Sequence, residues 1–427
     1  MLDRTTSPTI NPIENIELIR ASEKKLSNGI SVYTINAGTQ ELVRIEFIFN
    51  AGNLVQPGPM IASTTNDLID EGTSKLNAQQ IADAVDQYGA FLETEITYDN
   101  ATVSVFTLNK YLSKVLPVIE QLIKDAVFPE KELSVHIQNK KQHFVVSMQK
   151  VGDVARKKFN QLIFGNEHPY GYFTELHDFD TLKREDIRAF HSTRYVSDDC
   201  MIVVSGKVED KAIELLNKHF GGNDWIRKGL INSTNTFQFN ATKQRENIVL
   251  KEDALQSAIR IGRLMFNKTH PDYLPMLVLN TVLGGYFGSR LMSNIREDKG
   301  YTYGIGSAMV SLKEGGYFFI GTEVGVEVTA KAIDEVYFEL KRLHEEPIGM
   351  DELLLVRNYL LGSFISSCDG PFALADRFKG VQQYGLGYDY YSNYISTIKN
   401  TGPEKLMELA NKYFRKEEMI ELVAGKK

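Results

Sequence analysis

The sequence predicts an α+β fold of two homologous domains, each a mainly antiparallel sheet with helices packed on one face. The first observation behind this is an internal repeat. Residues 184–207, "REDIRAFHSTRYVSDDCMIVVSGK", and residues 403–426, "PEKLMELANKYFRKEEMIELVAGK", share one plan. Each reads as a helix, a Tyr, a charged turn and an apolar strand closing on Gly-Lys. Upstream, "FPEKELSVHIQNKKQ" from 128 is echoed by "EPIGMDELLLVRNYL" from 346, and "VRIEFIFNAG" from 43 by "SAIRIGRLMF" from 257. All three echoes share nearly the same offset, the signature of a duplicated unit. The second observation is the order of elements. Helices and strands come in runs rather than in strict alternation, which favours antiparallel sheets.

Taken in order, the elements are these. Strand "VRIEFIFNAG" is followed by two short helices around a break, in "MIASTTNDLIDEGTSKLNAQQIADAVDQYGA" (60–90). The second has clear limits. Asn77 caps it, Gln80 stands at the capping-box position, Ile81, Val85 and Tyr88 recur at helical spacing, and Gly89 ends it. The first is unusual, because Ser63-Thr64-Thr65-Asn66-Asp67 puts small polar groups where apolar ones would be buried. Unpaired burial of such groups costs a few kcal/mol each, so the expectation is that this helix faces an enclosed, water-filled chamber. "GAFLETEITYDNATVSVF" (89–106) reads as a hairpin, and a long helix follows Pro129. Residues 221–247 are polar and Gly/Asn/Thr-rich and read as a linker between domains 1–220 and 248–427. In the second domain, "YTYGIGSAMVS" and "GGYFFIGTEVG" flank the turn "LKEGG", a further hairpin.

Composition narrows the function classes. The chain has 427 residues, 43% hydrophobic and 24% charged, with net charge −7 and no basic block. Two domains are expected at this length, and nucleic acid or an anionic membrane is not the expected partner. No apolar run approaches the roughly 20 residues of a membrane span. The stretch "MLDRTTSPTINPIENIEL" has no apolar h-region, so the expected location is the cytoplasm, or the periplasm if a leader was removed. Cys200 and Cys368 suggest neither a disulfide framework nor a Cys-based zinc site. "VLGGYFGSRL" (282–291) lacks the strand–GxGxxG–helix context and the P-loop Lys of a phosphate site. Its Gly284, Gly285 and Gly288 read as packing positions in a helical hairpin.

"NGISVYTINAGTQELVRIEFIFNAGN", "DEGTSKLNAQQIADAVDQYGA" and "FGNEHPYGY" together resemble the insulinase/pitrilysin zinc peptidases, in the branch of the mitochondrial processing peptidase and its bacterial relatives. The resemblance runs from about residue 24 to the C-terminal end, and Gly72-Thr73 with the helix after it is its most specific piece. It implies that the preceding helix should carry the inverted motif H-x-x-E-H, in which two His hold zinc and the Glu serves as base. The positions that correspond here are Ser63, Asn66 and Asp67. Ser63 is a poor ligand, Asn66 is not basic at neutral pH, and only Asp67 could coordinate. The family's third ligand is a Glu in a long helix further on, where this chain reads "SVHIQNKKQHFVV", with His136 and His143 but no Glu. No two of the eight His stand three to five apart. No metal is therefore expected in this chain.

The same resemblance points to Arg296 and Tyr303, in "GSRLMSNIREDKGYTYGIGS", as the pair that faces a partner's zinc across the chamber. Arg296 falls near the end of an amphipathic helix (Leu291, Met292, Ile295), and Tyr303 lies on the strand after Gly300. Both are donors suited to a substrate carbonyl or a developing oxyanion. Leu92-Glu93-Thr94 stands where zinc-bearing relatives carry a small polar step at the substrate edge. The implied function is that of the non-zinc subunit of a heterodimeric zinc peptidase acting on peptides, with zinc in a homologous partner. The chain alone would then not be a peptidase, and could self-associate when made alone. The alternative is a catalytically dead homologue with a structural or peptide-binding role.

Overall fold

The computed structural model describes residues 16, 18–227 and 237–427. Residues 228–236, in the middle of the expected linker, and residues 1–15 and 17, in the stretch searched for a leader, lie outside them. The first sheet is built from β1 (Ser22–Lys25), β2 (Ser31–Asn36), β3 (Leu42–Phe49), β4 (Phe91–Ile96), β5 (Ala101–Leu108) and β6 (Cys200–Gly206). The second is built from β7 (Glu246–Leu250), β8 (Gln256–Met265), β9 (Thr302–Leu312), β10 (Gly315–Gly325) and β11 (Ile420–Gly425). The helices of the first half are α1 (Ile61–Asp67), α2 (Ala78–Asp86), α3 (Leu112–Asp125), α4 (Glu130–Ser147), α5 (Val151–Phe164), α6 (Asp178–Thr181), α7 (Arg184–Arg194) and α8 (Asp210–Phe220). Those of the second are α9 (Tyr273–Asn280), α10 (Thr329–Glu345), α11 (Met350–Ser366), α12 (Gly370–Gln382), α13 (Asp389–Asn400) and α14 (Pro403–Tyr413).

The duplication is written into the topology. The sheets run β1-β2-β6-β3-β5-β4 and β7-β11-β8-β10-β9. In each, one parallel pair, β2 with β6 and β7 with β11, is followed by antiparallel neighbours. The repeated Gly-Lys ending has a backbone cause. Gly206 and Gly425 both have positive φ, +122° and +137°. A Cβ on Gly206 would lie 2.2 Å from the Leu42 carbonyl oxygen, and one on Gly425 2.6 Å from Ser257 Oγ. Only glycine fits both demands.

One face of each sheet is covered by that half's own helices. Val43, Ile45, Phe47 and Phe49 of β3 pack into a core with α3 and α8, and Ile259 and Ile261 of β8 into one with α9, α10 and α14. The opposite face is covered by a helix from the other half. Leu374, Ala375 and Phe378 of α12 pack on Ile35, Ile48 and Val203 of the first sheet. Val154, Phe159 and Ile163 of α5 pack with Ala258, Leu422 and Ala424 of the second. The two halves thus exchange equivalent helices. Polar residues join the apolar ones beneath α12. Arg44 Nη2 donates to Asp376 Oδ1 and to the Phe372 carbonyl, both at 2.9 Å, and Lys379 pairs with the buried Glu46. Within 221–247, Trp225 is buried and donates to the Phe220 carbonyl, and residues 240 and 242 bond backbone to backbone with 164 and 162 at the end of α5. No helix among the described residues is long and apolar enough to cross a membrane.

Two predictions follow from this packing. Phe378 is 5% exposed in the exchanged contact, so Phe378→Ala should cost about 3–5 kcal/mol. A denaturant midpoint that barely moves would show that α12 does not hold the halves together. His191 lies buried between Phe128 and Tyr195, with ring centroids 5.2 and 5.0 Å away, and burial holds its pKa down to about 4. An unfolded His takes its proton as pH falls through about 6.5, while native His191 stays neutral until about 4. Its contribution to stability is therefore intact above the unfolded pKa and lost as pH falls through that window. His191→Gln should reduce the slope of stability against pH there by up to one proton, as read by urea unfolding at several pH values.

Candidate functional site

Two places answer to the sequence reading. The first is α1. Its break from α2 is set by Gly72-Thr73, where Thr73 Oγ1 accepts from the Lys75 and Leu76 amides at 3.2 and 3.0 Å. A Cβ on Gly72 would come within 3.0 Å of Pro129. The next helix has the expected capping box: Asn77 Oδ1 accepts from Gln80 N at 2.9 Å, and Asn77 N donates to Gln80 Oε1 at 3.0 Å. Gly89 ends it at φ +60°.

The polar middle of α1 does not as a whole face a wet chamber, contrary to the sequence expectation. Thr65 and Asn66 are fully buried. Thr65 Oγ1 donates to the Ile61 carbonyl at 2.7 Å, and Tyr195 Oη donates to Asn66 Oδ1 at 3.0 Å. The first bond lies within α1, and the second fastens α1 to the end of α7. Ser63 donates to the Met60 carbonyl at 3.0 Å and lines a cavity of about 290 Å³. Asp67 faces α4, where Lys140 Nζ lies 2.9 Å from its Oδ2 and His136 Nε2 lies 3.8 Å away. Burial lowers the His136 pKa, against the pull of Asp67.

This donor set does not fit a zinc ion. It comprises an alcohol, an amide oxygen already engaged by Tyr195, and one carboxylate already countered by an ammonium. Lys140 is the residue that sequence reasoning missed. It sits in the quoted stretch "SVHIQNKKQHFVV", in the helix where the family resemblance seeks a Glu. A search for metal donors passes over lysine, and only the packing of α4 beside α1 reveals the pair.

The second place is the edge of the second sheet. Arg296 lies in the π-helical turn Met292–Asp298, not in an α-helix as the sequence suggested, and a second π-turn spans Thr281–Gly285. Such wide turns are rare and gather at functional sites. The segment is anchored at both ends: Arg290 makes a two-pronged pair with Glu352 of α11 at 2.9 and 2.8 Å, and Asn294 Nδ2 donates to Glu339 of α10 at 2.7 Å. Tyr303 lies on β9, the outermost strand. The β9–β10 register changes there, because Ile305 pairs with Thr322 but Thr302 with Val324. Tyr303 and Gly304 therefore stand opposite Glu323 alone, a β-bulge that redirects the side chain. Tyr303 is 95% exposed.

The structure brings Arg296 and Tyr303 together through the backbone. Arg296 Nε donates to the Tyr303 carbonyl at 2.9 Å, and its guanidinium carbon stands 4.5 Å from the centre of the exposed Phe287 ring. The guanidinium is thereby fixed against the bulge while the phenol stands free.

Comparison with known proteins shows what the chain is similar to. Residues 181–360 match the family described as the peptidase M16 inactive domain. The chain is 24% identical to the "uncharacterized zinc protease YmxG" of Bacillus subtilis, over 93% of this chain and 96% of that protein. It is 22% identical to the "non-peptidase homolog YmxG" of Helicobacter pylori, over 71% and 70%. The crystal structure of a peptidase M16 inactive domain from Pseudomonas fluorescens superposes with a TM-score of 0.86 at 20% identity, covering 95% of this chain and 98% of that one, which shows the shared fold. The two-sheet duplication and these matches agree: the chain is similar to peptidase M16 inactive-domain proteins, in sequence over residues 181–360 and in fold over nearly its whole length.

Proposed function

We propose that this chain is the non-zinc subunit of a heterodimeric zinc peptidase that cuts extended peptides, and that Arg296 and Tyr303 serve the site of a homologous, zinc-bearing partner. The observation that carries this reading is the contrast between the two places just described. Around α1 the hydroxyls of Ser63 and Thr65, the Asn66 amide oxygen and the Asp67 carboxylate are held by internal partners. At β9 a phenol is held 95% exposed on a bulge, with a guanidinium clamped beneath it. An aromatic ring this exposed, with its hydroxyl free among the described residues, is open to contact with a second molecule.

In this reading the partner supplies the metal and the base, and no step runs through a metal on this chain. The phenol donates to the substrate carbonyl oxygen and holds that donation as negative charge develops. Arg296 acts on the Tyr303 backbone: by fixing its carbonyl it fixes where the bulge carries the phenol. β9 is also an edge strand, so an extended peptide can lie alongside it as an added strand. The competing reading is a dead homologue with a structural or peptide-binding role. The name "non-peptidase homolog" borne by the Helicobacter relative favours it.

Two measurements separate these readings. A tagged chain recovered from its native cells should bring down a second chain of similar mass that carries H-x-x-E-H and zinc. Recovery alone, or with larger unrelated proteins and no zinc, would favour the structural role. In the reconstituted pair, Tyr303→Phe should lower kcat/KM about a hundredfold, the usual loss for a transition-state donor. An unchanged kcat/KM would sink the role assigned to Tyr303.

A further inference from the structure

The cavity beside α1 has a composition that no zinc-site ancestry explains. Its walls come from α1, α4, α5 and the 174–182 segment, and no Asp or Glu lines it. Lys140, Lys157, His136 and His143 do. Of the two ammonium groups, Lys140 is already matched by Asp67. Lys157 is not: among the described residues no carboxylate lies within ion-pair distance of it. Its Nζ donates to Ser147 Oγ at 3.2 Å and stands 4.4 Å from the centre of the Phe144 ring. Burial and the neighbouring Arg156 lower its pKa, with Asp153 only partly opposing them. The rest of the wall is apolar, with Phe144, Phe179, Ile137 and Leu182.

We propose that this cavity binds a monocarboxylate with an apolar body, either a free organic acid or the carboxy-terminal residue of a peptide, with Lys157 as its counter-ion. The charge sets the valence. One ammonium lacks a partner, so one negative charge completes the site and a second would meet only Lys140, already engaged. A cavity of about 290 Å³ is at the small end of ligand sites, which suits a single ring or short chain. Phe144 and Phe179 offer that body apolar surface, and the hydroxyl of Ser147, already held by Lys157, lies beside the carboxylate position. The site needs no second chain and is independent of the role given to Tyr303.

The test uses the full chain alone, titrated by calorimetry and ligand-observed NMR. Four probes suffice: phenylpropionate, phenylpropionamide, N-acetyl-glycyl-phenylalanine, and the C-terminal amide of that dipeptide. At least one carboxylate should bind and its amide should bind at least about tenfold more weakly, since a charge-assisted bond is lost. Binding of phenylpropionate identifies a site for free acids, whereas binding of the dipeptide acid alone identifies a reader of peptide ends. Lys157→Met should abolish the preference for acid over amide, and Lys157→Arg should keep it. The proposal fails if neither acid binds, if acid and amide bind equally, or if folded Lys157→Met retains the preference. The acid–amide comparison is made on the unaltered protein and stands even if a variant does not fold.

Discussion

The exchange of α5 and α12 is the constraint on which the rest of the structure depends. A sheet with helices on one face leaves its other face to water, and here that face carries apolar residues on both sheets, joined on the first by Arg44 and Glu46. Each half solves this with the other half's helix, so neither sheet is covered on both sides without its sister. Each large side chain buried in these contacts contributes about 1.5–3 kcal/mol. The result is a single body built from two copies. The position of α4 follows from it, because α4 runs directly into α5, and so does that of α11, which runs into α12.

Because of that continuity, the two candidate places are set by the same device. On one side α5 is drawn across to the second sheet, and α4 is carried along α1, where Lys140 meets Asp67 and Lys157 enters the cavity wall. On the other, α12 is drawn to the first sheet and α11 is held where Glu352 grips Arg290, the residue that anchors the turn leading to Arg296. The buried ions beneath α12 add direction rather than net stability. A buried pair rarely outperforms an apolar contact of equal size, but leaving one member unpaired is costly. Glu46 and Arg44 therefore penalise any placement of α12 that moves Lys379 or Asp376 away.

Much of this was legible in the sequence. The repeat gave the duplicated fold because its clearest element, the Gly-Lys strand ending, has a backbone cause that both copies share. The capping box at Asn77 and Gln80 was legible because it is local. The exchange was not: an amphipathic pattern shows that α5 has an apolar face but not which sheet will cover it. The π-turns were hidden for a similar reason, since Leu291, Met292 and Ile295 suit a helix of either pitch. The bulge at Tyr303 left only a faint signal, Gly304, in a strand otherwise rich in residues that favour pairing. Lys140 and Lys157 were plain in the sequence but had no meaning until α1, α4 and α5 were placed side by side.

Helix α1 shows how a run of small polar groups is accommodated in a protein interior. A polar helix cannot simply be left in a protein interior, because each unpaired group costs free energy. Here the Met60 carbonyl meets Ser63, Tyr195 meets the Asn66 amide oxygen and Lys140 meets Asp67, while the buried Asn66 Nδ2 is left without a hydrogen bond among the described residues. In the repeat Tyr195 lines up with Phe414: each is the C-cap of its helix, and its N–H donates to the carbonyl four residues back, that of His191 or of Ala410. The repeat thus supplies a buried ring at the end of a helix in both halves, and only the first carries the hydroxyl that fastens Asn66. Placing zinc ligands at Ser63, Asn66 and Asp67 would therefore take more than three substitutions. Lys140 would have to leave as well, because an ammonium 2.9 Å from Asp67 already occupies the electrostatic place that a metal would need.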